Sequence, residues 1–172
     1  SLSMGLIMAV CLSLLSIAAE PVVSLSTELW LTVSIGSFVV GWVFQFIGHY
    51  FEGKKVLITG ASSGIGKALA IALSKFNTEL VLASRNTNAL EQVAAQCHSK
   101  AQVTIAELDL SARANHQAFV HKFEGFDLVF HNAGISQRSL VAETIFDVDH
   151  KLMEVNYLGT VHLTKLLLPS ML

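Results

Sequence analysis

The sequence predicts an α/β chain: the N-terminal part of a doubly wound parallel sheet, preceded by one or two hydrophobic helices. Three observations predict it. The apolar run Val56-Leu57-Ile58 enters the turn Thr59-Gly60-Ala61-Ser62-Ser63-Gly64-Ile65-Gly66, which opens onto a helical pattern, Ala68 to Leu73. Short apolar strands then alternate with helical stretches, as in a parallel sheet with right-handed crossovers. Finally, the apolar excess is local. The 172 residues are 52% hydrophobic, with a mean hydropathy of +0.57, which is high for a soluble domain. Residues 1–52 hold no Lys or Arg and only Glu20, Glu28 and Glu52 as acids, whereas residues 53–172 have an ordinary domain composition. The chain therefore divides into a membrane segment, 1–52, and one α/β domain, 53–172.

Two uncharged runs make up the first segment, Leu2 to Ala19 and Leu29 to Gly48. Each is close to the ~20 residues that span a bilayer. Trp30 and Tyr50 suit the two interfaces. Three arrangements fit. The first run is a signal peptide ending near Ala18-Ala19, although it lacks a basic n-region. Alternatively both runs span as a hairpin, or only the second spans. Lys54 and Lys55 are the first cations after the second run and favour a cytosolic domain. The chain opens on Ser1, and Met4 is a candidate start.

Within the domain a helix is expected from about Ile65 to Phe76. Glu79 to Ser84 reads as a buried strand. Asn86-Thr87-Asn88 caps a helix from Ala89 to about His98. Gln102 to Leu108 is a third strand, ending at Asp109-Leu110-Ser111. A helix with Ala118, Phe119, Val120 and Phe123 as its apolar residues follows. Asp127 to His131 is a fourth strand, closed by Asn132-Ala133-Gly134. A long helix should run from about Val148 through Leu168, until Pro169 stops it.

The glycine turn lies where a Rossmann-type sheet binds a dinucleotide. Gly60 lets the chain turn sharply, Gly64 clears the approach of a pyrophosphate, and Gly66 lets the helix pack closely on its strand. The first N–H groups of the helix face the phosphates. About 20 residues on, an acid would select NAD through the ribose 2′-hydroxyl. Here Ser84 and Arg85 stand in its place. A guanidinium there suits a 2′-phosphate, so NADP(H) is favoured over NAD(H). Asp109 either accepts from the adenine amino group or caps the following helix. Asn132, Ala133 and Gly134 are small residues over which a cofactor can pass. Asn156 stands inside a helical run, where Asn is a poor fit. Either its amide holds a water or opens a local distortion, or it sits on an exposed polar face.

Several classes are excluded or unsupported. A net charge of -2 gives no basis for nucleic-acid binding. Cys11 and Cys97 form neither a disulfide framework nor a CxxC. The seven histidines make no HExxH or Cys/His cluster, so they are read as surface or packing residues and no metal is expected.

Taken together, Thr59 to Gly66, Ser84-Arg85, Asp109-Leu110, Asn132-Ala133-Gly134 and Asn156 in Glu154 to Thr160 resemble the short-chain dehydrogenase/reductase superfamily. The resemblance covers residues 53–172. Gly134 to Leu140 and Val155 to Val161 look most like its membrane-anchored family member 7 group. The resemblance implies hydride transfer between NADP(H) and a lipophilic alcohol/ketone such as a retinoid, steroid or xenobiotic carbonyl, at an endoplasmic reticulum membrane. It places Thr59, Gly60, Ser62, Ser63, Gly64, Ile65 and Gly66 at the pyrophosphate, Asp109 and Leu110 at the adenine, and Asn132, Ala133 and Gly134 along the cofactor. It gives Asn156 a water in a proton relay to a lysine and a catalytic tyrosine. No Tyr-x-x-x-Lys follows Asn156, and the serine strand is absent. The chain is therefore expected to be an N-terminal part without catalysis of its own. The exposed strand edge and apolar surface follow from that, and a homodimer is expected only of the complete domain. The rival reading is a truncated, non-catalytic module that binds nucleotide or a partner at a membrane.

Overall fold

Strand β1 (Lys55–Thr59) lies at the centre of the sheet because its residues are apolar on both faces. In a computed structural model, which describes residues 26–51 and 53–172, Val56, Leu57 and Ile58 are all fully buried. Strand β2 (Glu79–Ser84) pairs with it in parallel, and β3 (Gln102–Glu107) pairs with β2. The chain then crosses to the other side of β1, where β4 (Leu128–Phe130) completes the order β3-β2-β1-β4. This reversal between β1 and β4 creates a switch point, the place where open α/β sheets leave a crevice.

Alternation along the strands divides the core into two layers. Val56 and Ile58 of β1, with Leu80 and Leu82 of β2, face helices α2 (Gly64–Leu73) and α3 (Thr87–Ala94) through Ala70, Leu73, Leu90 and Val93. Leu57, Val81 and Ala83 point the other way, into a layer with Phe119, Leu163 and Leu167. That layer is supplied by α4 (His116–Lys122) and α6 (Thr160–Leu167). Period-two side chains buried on both faces make a doubly wound sheet.

The elements keep their expected order with shorter ends. Asn86 caps α3, its Oδ1 accepting from Ala89 N at 3.0 Å. Helix α2 stops at Leu73, before the expected Phe76, and α3 at Ala94, before His98. The expected single helix after Val148 is three pieces: α5 (Phe146–Met153), a π-helical turn (Glu154–Gly159) and α6. Asn156 lies in that π turn, so the distortion its sequence position suggested is present. Single π turns insert one residue into an α-helix and recur at functional sites.

Two compact units divide the chain, Ser1–His49 and Tyr50–Leu172. Helix α1 (Thr27–Phe51) holds the second apolar run, and Phe38, Trp42 and Phe46 form an exposed aromatic row on it. Among the described residues no helix is long and apolar enough to cross a membrane. The side chains of residues 44, 45 and 47–49 fall outside that description, as does the whole first run, Leu2 to Ala19.

Strand β4 pairs with β1 alone among the described residues. Leu140, Val141, Ile145, Phe146, Tyr157 and Leu168 are exposed. The apolar surface and open edge expected from the sequence are both seen.

Candidate cofactor cleft

The carboxyl ends of β1 and β4 open into a crevice of about 720 Å3. That volume lies within the range of small-molecule sites. Its walls bring together Gly60, Ser62, Ser63, Ile65, Ser84, Arg85, Asp109, Leu110, Asn132, Ala133 and Gly134. Four other sequence candidates do not line the crevice: Thr59 and Gly66 are buried beneath the turn, while Gly64 and Asn156 are exposed. Six lining residues had no signal singling them out as ligand contacts: Asn86, Thr87, Asn88, Leu108, Ile135 and Val155.

The glycine turn is built by close approach. Gly60 has φ +66, and a Cβ on it would lie 2.7 Å from the Ala133 Cα. A Cβ on Gly66 would lie 2.5 Å from both the Gly60 carbonyl oxygen and Asn132 Nδ2. These two turns therefore touch across the switch point. Gly64, at φ +54, faces open space. Ser63 offers no side-chain cap to α2 and the first turn holds no acid, so the positive end of the helix is left for a ligand.

Thr59 is the clasp. It is fully buried, and its Oγ1 donates to the Phe130 carbonyl at 3.3 Å. It also accepts from Asn132 N and Ala133 N, both at 3.1 Å. A hydroxyl with one donated and two accepted bonds is fully used. Asn132 returns the tie, its Nδ2 donating to the carbonyls of Thr59 at 3.3 Å and Gly60 at 3.2 Å. The Asn132-Ala133-Gly134 stretch is thus fixed against the glycine turn by hydrogen bonds.

Asp109 does not cap the following helix, and it lines the crevice. Its Oδ1 accepts from Ser111 N at 2.9 Å and Ser111 Oγ at 2.8 Å, a local turn four residues before α4. The loop is then held to α5 by Lys151 Nζ, which donates to Ser111 Oγ at 3.0 Å. Burial works to raise the Asp109 pKa, but the two Ser111 bonds and the Arg85 and Lys151 charges outweigh it and hold the carboxyl below its ordinary value. Asp109 is therefore an anion on one side of the cleft, with the Arg85 cation facing the same space.

Asn156 uses its whole amide on one residue. Oδ1 accepts from Ile135 N and Nδ2 donates to Ile135 O, both at 2.8 Å. This holds the segment that leaves Gly134 against the π turn. Asn156→Ala should lose both bonds and cost about 1–2 kcal/mol, read as a lower urea midpoint. Asn156→Asp should cost more, because an acceptor would then face the Ile135 carbonyl.

His116 is one of the histidines that serve packing. It is fully buried and bonded at both ring nitrogens, to Asp109 O at 3.1 Å and His162 Nδ1 at 3.0 Å. The partner lies 46 residues away in sequence, so no local spacing signals the pair. Tyr50 and Lys54 have the Tyr-x-x-x-Lys spacing. They are not the family's catalytic pair, because Lys54 precedes β1 at the amino ends of the strands and bonds Asp127 there at 3.0 Å.

A short chain dehydrogenase family model matches residues 54–172. Dehydrogenase/reductase SDR family member 7 of Homo sapiens is 43% identical over 126 residues, which is 68% of this chain and 37% of that one. An alcohol dehydrogenase of Thermococcus sibiricus, solved with 5-hydroxy-NADP, aligns at 33% identity and TM-score 0.64, covering 69% of this chain and 53% of that one. L-sorbose reductase of Gluconobacter frateurii, solved with NADPH and L-sorbose, aligns at 28% identity and TM-score 0.65, covering 70% of this chain and 48% of that one. The chain thus spans 37% to 44% of the length of curated relatives such as these dehydrogenase/reductases.

Proposed function

The chain belongs to the short-chain dehydrogenase/reductase family, whose fold binds nicotinamide cofactors, and on that premise we propose that it forms the NADP(H)-binding half of an oxidoreductase. The reaction is hydride transfer between NADP(H) and a lipophilic alcohol/carbonyl pair. The observation that carries this reading is the crevice at the β1/β4 switch point, with Gly60, Ser62, Ser63 and Ile65 on one wall and Asn132 to Gly134 on the other. Bound there, the cofactor would supply the hydride. The uncapped start of α2 would hold the pyrophosphate through main-chain N–H groups.

Arg85 supports the choice of phosphate. It follows β2, lines the crevice, is exposed and has no ion-pair partner among the described residues. A free guanidinium can take a 2′-phosphate by two parallel hydrogen bonds. The same place holds no acid to accept from a ribose 2′-hydroxyl. Asn156 and the Ile135 main chain would order the start of the proton relay. The general acid is assigned to no residue of this chain.

The apolar N-terminal helix and its exposed aromatic row support a membrane location, at the endoplasmic reticulum in keeping with the family resemblance. A membrane-partitioning retinoid, steroid or xenobiotic carbonyl fits that place. The complete domain would be the form that dimerises.

Fluorescence titration with NADPH and NADH tests the cofactor reading. Arg85→Asp should weaken NADPH about ten- to hundredfold, the scale of one lost charge-assisted bond, and leave NADH nearly unchanged. Equal losses for both, or none for either, would remove the 2′-phosphate assignment.

A further inference from the structure

The wall of the cleft on the Asp109 side is tied to the helices after β4 by more than packing. Arg113 Nε bonds Glu154 Oε1 at 2.7 Å, and Lys151 bonds Ser111. A Cβ on Gly159 would collide with the Leu110 carbonyl, so the π turn rests directly on that loop. The deepest of these ties is the histidine pair. The Asp109 carbonyl can only accept, so His116 Nε2 carries the hydrogen. A neutral His116 then offers Nδ1 as an acceptor, and His162 Nδ1 must carry the hydrogen that bridges the rings. The ring centroids are 5.2 Å apart. The pair can admit one proton, at His162 Nε2 as it stands or at His116 Nδ1 if His162 changes tautomer, but a proton on each ring would set N–H against N–H.

We propose that His116 and His162 are positioning residues for the dinucleotide: their ring-to-ring hydrogen bond holds the Asp109 main chain, and with it the adenine-side wall of the cleft, against α6. This rests on the cofactor reading above. His162 acts through His116, and neither ring lines the cleft. The charged groups around His116 are Asp109 on the loop, Arg113 before its own helix and His162 on α6. Burial lowers the His116 pKa, the Asp109 carbonyl and carboxylate oppose this, and His162 and Arg113 reinforce it. The unfolded chain therefore takes up this proton first. The contribution is full above the ordinary histidine value of about 6.5 and falls as the pH drops below it.

Two measurements on the full chain test this. Long-range nitrogen-15 correlation spectra should show His116 protonated at Nε2 and His162 at Nδ1. A His116 protonated at Nδ1, or rings exchanging between tautomers, would overturn the proposal. Titration with adenosine 2′,5′-bisphosphate should show His162→Ala binding about tenfold more weakly, the scale of one hydrogen bond. His162→Asn, whose amide can donate, should recover most of it. Affinity of the unmutated chain should also fall as the pH drops below about 6.5, the ordinary histidine value, and this fall should be smaller in His162→Ala. Binding indifferent to His162→Ala and to pH would overturn the positioning role alone. If the unmutated chain fails to bind the probe, the cofactor reading falls and this role falls with it, whatever the tautomers.

Discussion

Gly60→Ala should abolish NADPH binding and destabilise the Tyr50–Leu172 unit by roughly 2–5 kcal/mol. Two independent costs add here. A non-glycine residue at φ +66 pays about 1–2 kcal/mol for the left-handed conformation. The new Cβ would also stand 2.7 Å from Ala133 Cα and 2.9 Å from Ala133 N, and overpacking of that kind costs about 1–3 kcal/mol. The neighbour is backbone, so it cannot turn aside as a flexible side chain would. Relief requires β1 and β4 to part at the switch point, which opens the crevice wall. Gly64→Ala separates the two costs, because Gly64 also has positive φ but nothing within 4 Å of a new Cβ. It should cost only the conformational part, about 1–2 kcal/mol. Urea midpoints of the two variants measure the difference. Equal losses would show that contact with Ala133 contributes nothing.

Thr59→Val should cost about 2–4 kcal/mol while Thr59→Ser costs less than half as much. Valine keeps the shape of threonine and removes the hydroxyl. Ala133 N then loses its acceptor, while Asn132 N and the Phe130 carbonyl keep the bond they make to each other at 3.0 Å. The stranded Ala133 N–H costs about 1–3 kcal/mol, and the two weakened ties add about 1 kcal/mol. Serine keeps all three bonds and gives up one methyl group, worth about 0.8 kcal/mol. The loss should fall on ligand binding as well as stability, because Asn132 and Ala133 line the crevice. Thermal unfolding and NADPH titration of both variants would show it. If valine were as stable as serine, the clasp would owe its effect to packing and not to the hydroxyl.

Much of this was legible from residues close together in the chain. The glycine turn could be read because a strand, three glycines and a helix start lie within about a dozen positions, and each glycine answers a local demand of the turn. The apolar strands could be read because three or more buried residues in a row leave no polar face. Helix ends were less legible. Helix α2 gives way at Ser74, whose buried hydroxyl donates to the Ile71 carbonyl and accepts from His98 N, a partner 24 positions away that only the fold supplies. The π turn was half legible: Asn156 marked the place, and only the fold supplied Ile135 as its partner.

What sequence alone carried, then, was the strand–turn–helix frame and the residues at the ends of its strands, because backbone conformation and burial there follow from neighbours a few positions away. The closure of the cleft was decided by the folded chain. Thr59 meets Asn132 across 73 positions, and His116 meets His162 across 46. A hydrogen bond between such residues exists only once the sheet order brings β4 beside β1 and lays α6 against α4. No pattern within either segment encodes that distance, so the clasp and the histidine pair emerge only in three dimensions.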